Sequence, residues 1–106
     1  MPRWLPRVLR RVRGLAAAGR LRFTEKALAE MAAFGLARDD VVQILTGLRS
    51  AGAPTRMRSS QGPEWMYEFR PRAVGLLLYL KVVLRHDVVV VSCHEDQAQE
   101  GPDGAA

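Results

Sequence analysis

LLLYLKVVLRHDVVVVSCH, residues 76–94, decides the fold. Two runs of aliphatic and β-branched side chains flank a short polar break, the pattern of paired strands. The spacing predicts strands from Leu76 to Arg85 and from Val88 to His94, joined by a two-residue turn at His86 and Asp87. A turn of that length sets the pairing register. Leu84 then faces Val89, Val82 faces Val91 and Leu80 faces Cys93 on one side of the ribbon. On the other side Val83 faces Val90, Lys81 faces Ser92 and Tyr79 faces His94. One side is apolar and the other carries chemistry. His-Asp is not among the strongest turn pairs, so it is this sorting of the faces that supports the register.

Toward the N-terminus, Trp65, Tyr67 and Phe69 alternate with Met66, Glu68 and Arg70, a half-buried strand whose aromatic side is expected in the core. Arg56 to Ser60 reads as a weaker strand, with Arg56 and Arg58 sharing one side. Earlier still the period becomes helical. Val8, Leu9, Val12, Leu15 and Ala16 form a stripe that opens near Pro6 and closes at Gly19, with Arg7, Arg10 and Arg13 opposite. A short extended piece from Arg20 to Phe23 leads to Thr24, a predicted N-cap. The next helix is expected to bury Ala27, Leu28, Met31 and Ala32 and to end at Gly35. A third starts near Asp39 and Asp40, whose charges favour a helix N-terminus, and presents Val41, Val42, Ile44, Leu45 and Leu48. Helices first and antiparallel strands second predict an α+β fold, an antiparallel sheet with the N-terminal helices packed on one face. Residues 1–96 are expected to form a single domain, and the acidic stretch 97–106, which lacks core residues, a disordered tail.

At 106 residues, 48% of them hydrophobic, the chain suffices for one core and not for two. No apolar run approaches the ~20 residues that span a bilayer. Near the start, arginines are interleaved with Val8, Leu9, Val12 and Leu15 instead of preceding a clean apolar segment, so a folded helix is read there and the cytoplasm is the default compartment. The single Cys93 excludes an internal disulfide and a cysteine-rich zinc site. Two histidines in different roles and no paired carboxylates give no ligand spacing; phosphate-loop glycines and a serine-nucleophile motif are also missing. Neither a metal nor a cofactor is therefore expected. The net charge is +5, unevenly spread: seven arginines and no acid precede Glu25, and four acids and no base follow His94. Residues 1–94 thus carry 16 bases and 7 acids, a field that favours a polyanion, most commonly nucleic acid. Fourteen arginines against two lysines is also what a GC-rich genome produces, so charge alone leaves both explanations open.

The polar side of the hairpin places Tyr79 and His94 at the ~5 Å of cross-strand neighbours. Lys81 lies one step along, and Met66, Glu68 and Arg70 share that side on the adjoining strand. Arg56 and Arg58 are further sources of positive charge. RNA can be cut without a metal because its own 2′-OH is the nucleophile. The protein must take that proton, stabilise charge on the crowded phosphorus and protonate the leaving 5′-oxygen. Histidine, as a residue type with a pKa of ~6.5, serves as acid or base near neutral pH. Arginine and lysine supply electrostatic stabilisation; tyrosine stacks on a base or passes a proton. Plainer roles stand beside these: Tyr79 as an amphipathic sheet residue, His94 as a solvated strand end, Lys81 and Arg70 as edge charges, Glu68 as an arginine's partner. His86 is read as a turn residue and Cys93 as a small buried hydrophobe.

The runs VRGLAAAGRLRFTEKALAEMAAFGL, DDVVQILTGL and WMYEFRPRAVGLLLYLKVVLRHDVVVVSCHED carry a family resemblance. Its most specific parts are Trp65 followed by Phe69, Arg70, Pro71 and Arg72, the Tyr79–Lys81 triplet, the His86–Val88 turn and the closing VVVVS. In this order they resemble the MqsR (motility quorum-sensing regulator) family of toxins from bacterial toxin–antitoxin pairs, over roughly residues 8–96. The resemblance implies a RelE-like fold, sequence-selective mRNA cleavage that does not need the ribosome, and inhibition by an antitoxin protein encoded by a neighbouring gene. It implies catalytic roles for Tyr79, for His94 where the family has lysine, and for Arg56, with Arg58 a competitor for that position. With the face geometry it points to RNA contacts from Lys81, Arg70, Arg72, Arg58 and Glu68. The family's glutamine falls at Met66, which moves no protons; either that position is dispensable or Glu68 replaces it. The expected function is a metal-independent endoribonuclease toxin with no membrane or small-molecule partner. The alternatives are a catalytically inactive RNA- or protein-binding module of the same fold, and a domain whose basic helix docks an acidic partner.

Overall fold

Helix α1 (Leu5–Ala17) carries proline in its first turn, where an N–H would be unsatisfied anyway, and buries Leu5, Val8, Leu9, Val12 and Ala16. Gly19, at φ +75°, turns the chain into the short strand β1 (Leu21–Phe23). In α2 (Glu25–Ala33) the Thr24 hydroxyl oxygen accepts the Ala27 N–H at 3.1 Å, the cap read from the sequence. Helix α3 (Arg38–Thr46) opens with the Asp40 carboxylate accepting the Ala37 N–H at 2.8 Å. Strands β2 (Thr55–Arg58), β3 (Trp65–Phe69), β4 (Arg72–Ala73), β5 (Leu76–Leu84) and β6 (Val88–Glu95) follow. The computed structural model describes residues 2–59 and 62–96. Ser60, at the end of the expected weak strand, and the expected tail from residue 97 lie outside them.

The sheet runs β1-β6-β5-β3-β2, with β4 paired to β5. One buried cluster joins all three helices to Phe69, Leu78, Leu80, Val82, Val88, Val90 and Cys93. Each aliphatic side chain buried there contributes ~1.5–3 kcal/mol. This is the α+β architecture expected, with the N-terminal helices on one face. No helix among the described residues is long and apolar enough to cross a membrane.

Four departures from the sequence reading have physical causes. The sheet is mixed, not wholly antiparallel, because β1 lies parallel to β6 and covers part of its otherwise open edge. In α2 only Ala27 and Met31 are buried; Leu28 is 48% exposed and Ala32 faces solvent, since this helix of nine residues meets the sheet along a narrow stripe. The sequence reading had no β4, whose turn into β5 holds Val74 and Gly75 at φ +47° and +77°. A β-branched residue in that region gives no sequence signal for a turn and is strained there.

The fourth departure is in the decisive hairpin. A two-residue primed turn needs positive φ, and neither His86 nor Asp87 has it. The strands instead join through Arg85, His86 and Asp87, with the Arg85 N–H donating to the Asp87 carbonyl at 3.0 Å. Leu84 therefore pairs with Val88, Val83 with Val89 and Val82 with Val90, and it is Val88 and Val90 that enter the core. The extra residue is absorbed as a bulge at Val91, whose carbonyl accepts the Thr24 hydroxyl at 2.9 Å. Below the bulge the expected register returns: Lys81 opposite Ser92, Leu80 opposite Cys93, Tyr79 opposite His94.

Candidate active site

With the helices on one face, alternate side chains of the strands project from the other. Pairing across four strands sets Thr55, Glu68, Lys81 and Ser92 in one row, and the next row holds Tyr79 and His94. The two rings stack, with centroids 5.2 Å apart and planes 4° from parallel. The Tyr79 phenol donates a hydrogen bond to Glu68, whose second carboxylate oxygen accepts the Thr55 hydroxyl at 2.6 Å. The Arg70 guanidinium lies 5.0 Å from the Tyr79 ring centroid and the Lys81 ammonium 5.7 Å from it. Arg70 is itself fixed, donating to the Ala53 carbonyl at 3.0 Å and lying 3.6 Å from the Asp96 carboxylate.

These contacts set the protonation states. Burial, and then the bond to the Glu68 carboxylate and its charge, push the Tyr79 phenol up to about 12. Burial also pulls Glu68 upward. The bonds from Thr55 and Tyr79, with the charges of Lys81 and Arg70, outweigh it and hold that carboxyl below its ordinary range. At neutral pH the pair is a phenol and a carboxylate. His94 Nδ1 lies 3.0 Å from the Glu95 carbonyl oxygen. A carbonyl only accepts, so in this contact Nδ1 carries a hydrogen.

Of the residues singled out from sequence, Tyr79, His94, Glu68, Lys81 and Arg70 come together. Arg72 is exposed on β4, opposite Leu77 and outside this cluster. Arg56 and Arg58 stand apart from it: their register with Tyr67 and Trp65 turns them to the opposite sheet face from Tyr79. Arg56 lies between the Trp4 and Trp65 rings, at 5.3 Å and 4.0 Å, and Arg58 stacks on Trp65 at 4.0 Å. Which way an edge strand faces depends on its pairing, and no turn chemistry in the sequence fixed that here. Met66 is on the open face but in an apolar row, between Met57 and Val83. The sequence reading passed over Thr55 and Asp96. Asp96 had a legible signal, since it lies two residues beyond His94, just past the end of β6. Thr55, like Arg56, had none.

Buried Cys93 has its thiol pushed up to about 11, first by burial and then by Glu30, so it stays protonated and unreactive. Among the described residues no three His, Cys, Asp or Glu side chains gather as metal ligands. The face can accept a proton at His94, donate one at Tyr79, and offset negative charge between them with two cations. The family model described as "Motility quorum-sensing regulator, toxin of MqsA" matches residues 7–95. The chain belongs to the MqsR toxin family. Among curated proteins it is similar to the mRNA interferase toxin MqsR of Escherichia coli (strain K12), 34% identical over 88 residues that span 82% of this chain and 90% of that protein. In this member of the family, of the three positions given catalytic roles by resemblance, Tyr79 and His94 share the open face and Arg56 does not.

Proposed function

We propose that this chain is an mRNA endoribonuclease, the toxin of a toxin–antitoxin pair, cutting through the RNA 2′-OH without a metal and restrained in the cytoplasm by an antitoxin protein. The observation that carries this reading is the stacked Tyr79–His94 pair on the open face of an MqsR-family chain. His94 Nε2 takes the 2′-OH proton as that oxygen bonds to phosphorus. Lys81 and Arg70 offset the charge that builds on the phosphoryl oxygens. The bond from phosphorus to the 5′-oxygen breaks, and the Tyr79 phenol, turning from Glu68, protonates the departing oxygen. The products are a 2′,3′-cyclic phosphate and a free 5′-hydroxyl; solvent then returns a proton to Tyr79 and removes one from His94.

The test is RNA cleavage by the purified protein in excess EDTA, with product ends mapped. Cutting should persist, and Tyr79→Phe or His94→Ala should each lower the rate at least tenfold, about 1.4 kcal/mol of barrier, with circular dichroism unchanged. Cleavage abolished by EDTA would sink the metal-free mechanism. Met66, apolar where the resemblance expects glutamine, favours a second reading as an inactive RNA-binding module. Affinity that falls steeply with salt, without any cut ends, would support that one. Growth arrest relieved by a neighbouring gene product tests the antitoxin.

A further inference from the structure

Beside the Tyr79 face lies a cavity of about 640 Å³, between the last turn of α3 and the corner from β3 to β4. Its size is that of a small-ligand site, ~300–1,000 Å³. Ile44, Leu48 and Leu77 make an apolar floor, and Gln43, Arg49 and Arg72 stand at the rim. Among the described residues the guanidiniums of Arg49 and Arg72 make no hydrogen bond or ion pair, so both are free for a ligand. Arg70 connects the cavity to the active face, because it lines the one and lies over Tyr79 in the other. The join is tight: at Gly52, φ +85°, a Cβ would come within 2.8 Å of the Arg70 carbonyl oxygen.

Resting on the RNA-cleavage reading above, we propose that this cavity holds the nucleotide next to the scissile phosphate. The base packs on the apolar floor, the Gln43 amide bonds its edge, and Arg49 and Arg72 take the flanking phosphates. Bases displayed by single-stranded RNA are recognised by such stacking and edge contacts, and phosphate is the natural partner of unpaired guanidinium. The competing occupant is the chain's own acidic stretch, residues 97–106, which follows Asp96 and contains Glu100 and Asp103. Its apolar side chains are only alanine and proline, so it has nothing to cover that floor.

The test compares the full chain with Gln43→Ala and Arg49→Ala on two probes. One is a random-sequence RNA pool whose cut ends are mapped; the other is a fully 2′-O-methylated pool, which binds but offers no 2′-OH. Gln43→Ala should flatten the nucleotide preference at one position flanking the cut. Arg49→Ala should weaken binding of the methylated pool about fivefold and reduce the slope of log affinity against log salt by ~0.7, the value of one phosphate contact on a single strand. If cutting persists with preference and affinity unaltered in both variants, the cavity proposal falls and the cleavage reading stands. If the wild type cuts nothing yet Arg49→Ala binds the methylated pool more weakly and with the lower slope, the cleavage reading falls and the cavity stands as an RNA-binding site without a scissile phosphate beside it. Affinity that rises in Arg49→Ala would assign the cavity to residues 97–106 and overturn the proposal.

Discussion

The Tyr79 hydroxyl has one proton, which the Glu68 carboxylate holds in the resting protein and which the proposed mechanism passes to a leaving oxygen. Glu68 aims the phenol and also makes it a weaker acid, because a neighbouring negative charge disfavours the phenolate. Replacing Glu68 by Gln removes the charge and leaves the burial. In a Tyr67→Phe background, so that Tyr79 alone titrates, Glu68→Gln should move the phenol down from about 12 toward the ordinary 10.0 without reaching it. Tyrosinate absorbance against pH reads this directly; a midpoint that stays put would show that Glu68 has no hold on the ring. Cleavage in that variant separates the two effects of Glu68. Under the proposed mechanism a faster rate means acid strength was limiting, and a slower one means aim was.

At the scale of elements, Thr24 ties α2 to β6 with three hydrogen bonds. Its oxygen caps α2, its hydroxyl hydrogen goes to the bulge carbonyl of Val91, and its N–H donates to the Val90 carbonyl at 3.1 Å. Losing a cap costs ~1 kcal/mol and losing a neutral hydrogen bond about as much. Thr24→Ala should therefore destabilise the fold by ~2 kcal/mol in urea denaturation, with Thr24→Ser close to wild type. Equal losses in both variants would count against the hydroxyl's role. Just beyond, the Glu30 carboxylate accepts the Cys93 N–H at 2.8 Å and the Ser92 hydroxyl at 3.1 Å, covering the stretch of β6 edge that β1 does not reach. The cap was legible because Thr24 directly precedes a helical stripe. Its tie to the bulge was not, since a bulge is a compromise between turn and register and leaves no mark on composition. The Tyr79–His94 pair was legible despite the misread turn because alternation along β5 and β6 sorted apolar from polar sides. The upper half of the hairpin slipped by one residue and the bulge took the slip back. Val74 and Gly75 illustrate the opposite case, a turn held in place although its first residue argues against it.

The molecule as a whole has a stability window set by the same groups. The folded state keeps the Tyr79 proton to about pH 12, whereas an unfolded chain gives it up near 10.0. Stability from that site is thus complete below pH 10 and lost between about 10 and 12. Glu68 and Glu30 lie below 4.5 in the fold, burial opposing the shift and hydrogen bonds with neighbouring cations winning. Their contribution is present above 4.5 and drains as pH falls through the lowered values. Thermal midpoints should show a plateau with both flanks, and Glu68→Gln should soften each of them. A midpoint that climbs between pH 10 and 12 would reverse the assigned sign. The fold class could be read from the switch between helical and strand periods. The parallel place of β1 could not, because three residues carry no record of a partner so distant in the chain. That place matters for how the protein is made. β6, late in the chain, is the strand inserted between β1 and β5, and it also carries His94. A nascent polypeptide on the ribosome that has not yet delivered residues 88–95 lacks both the strand that joins β1 to the rest of its sheet and half of its stacked pair. On the mechanism proposed above, folding and arming are completed by the same stretch of chain, and an unfinished copy cannot cut RNA.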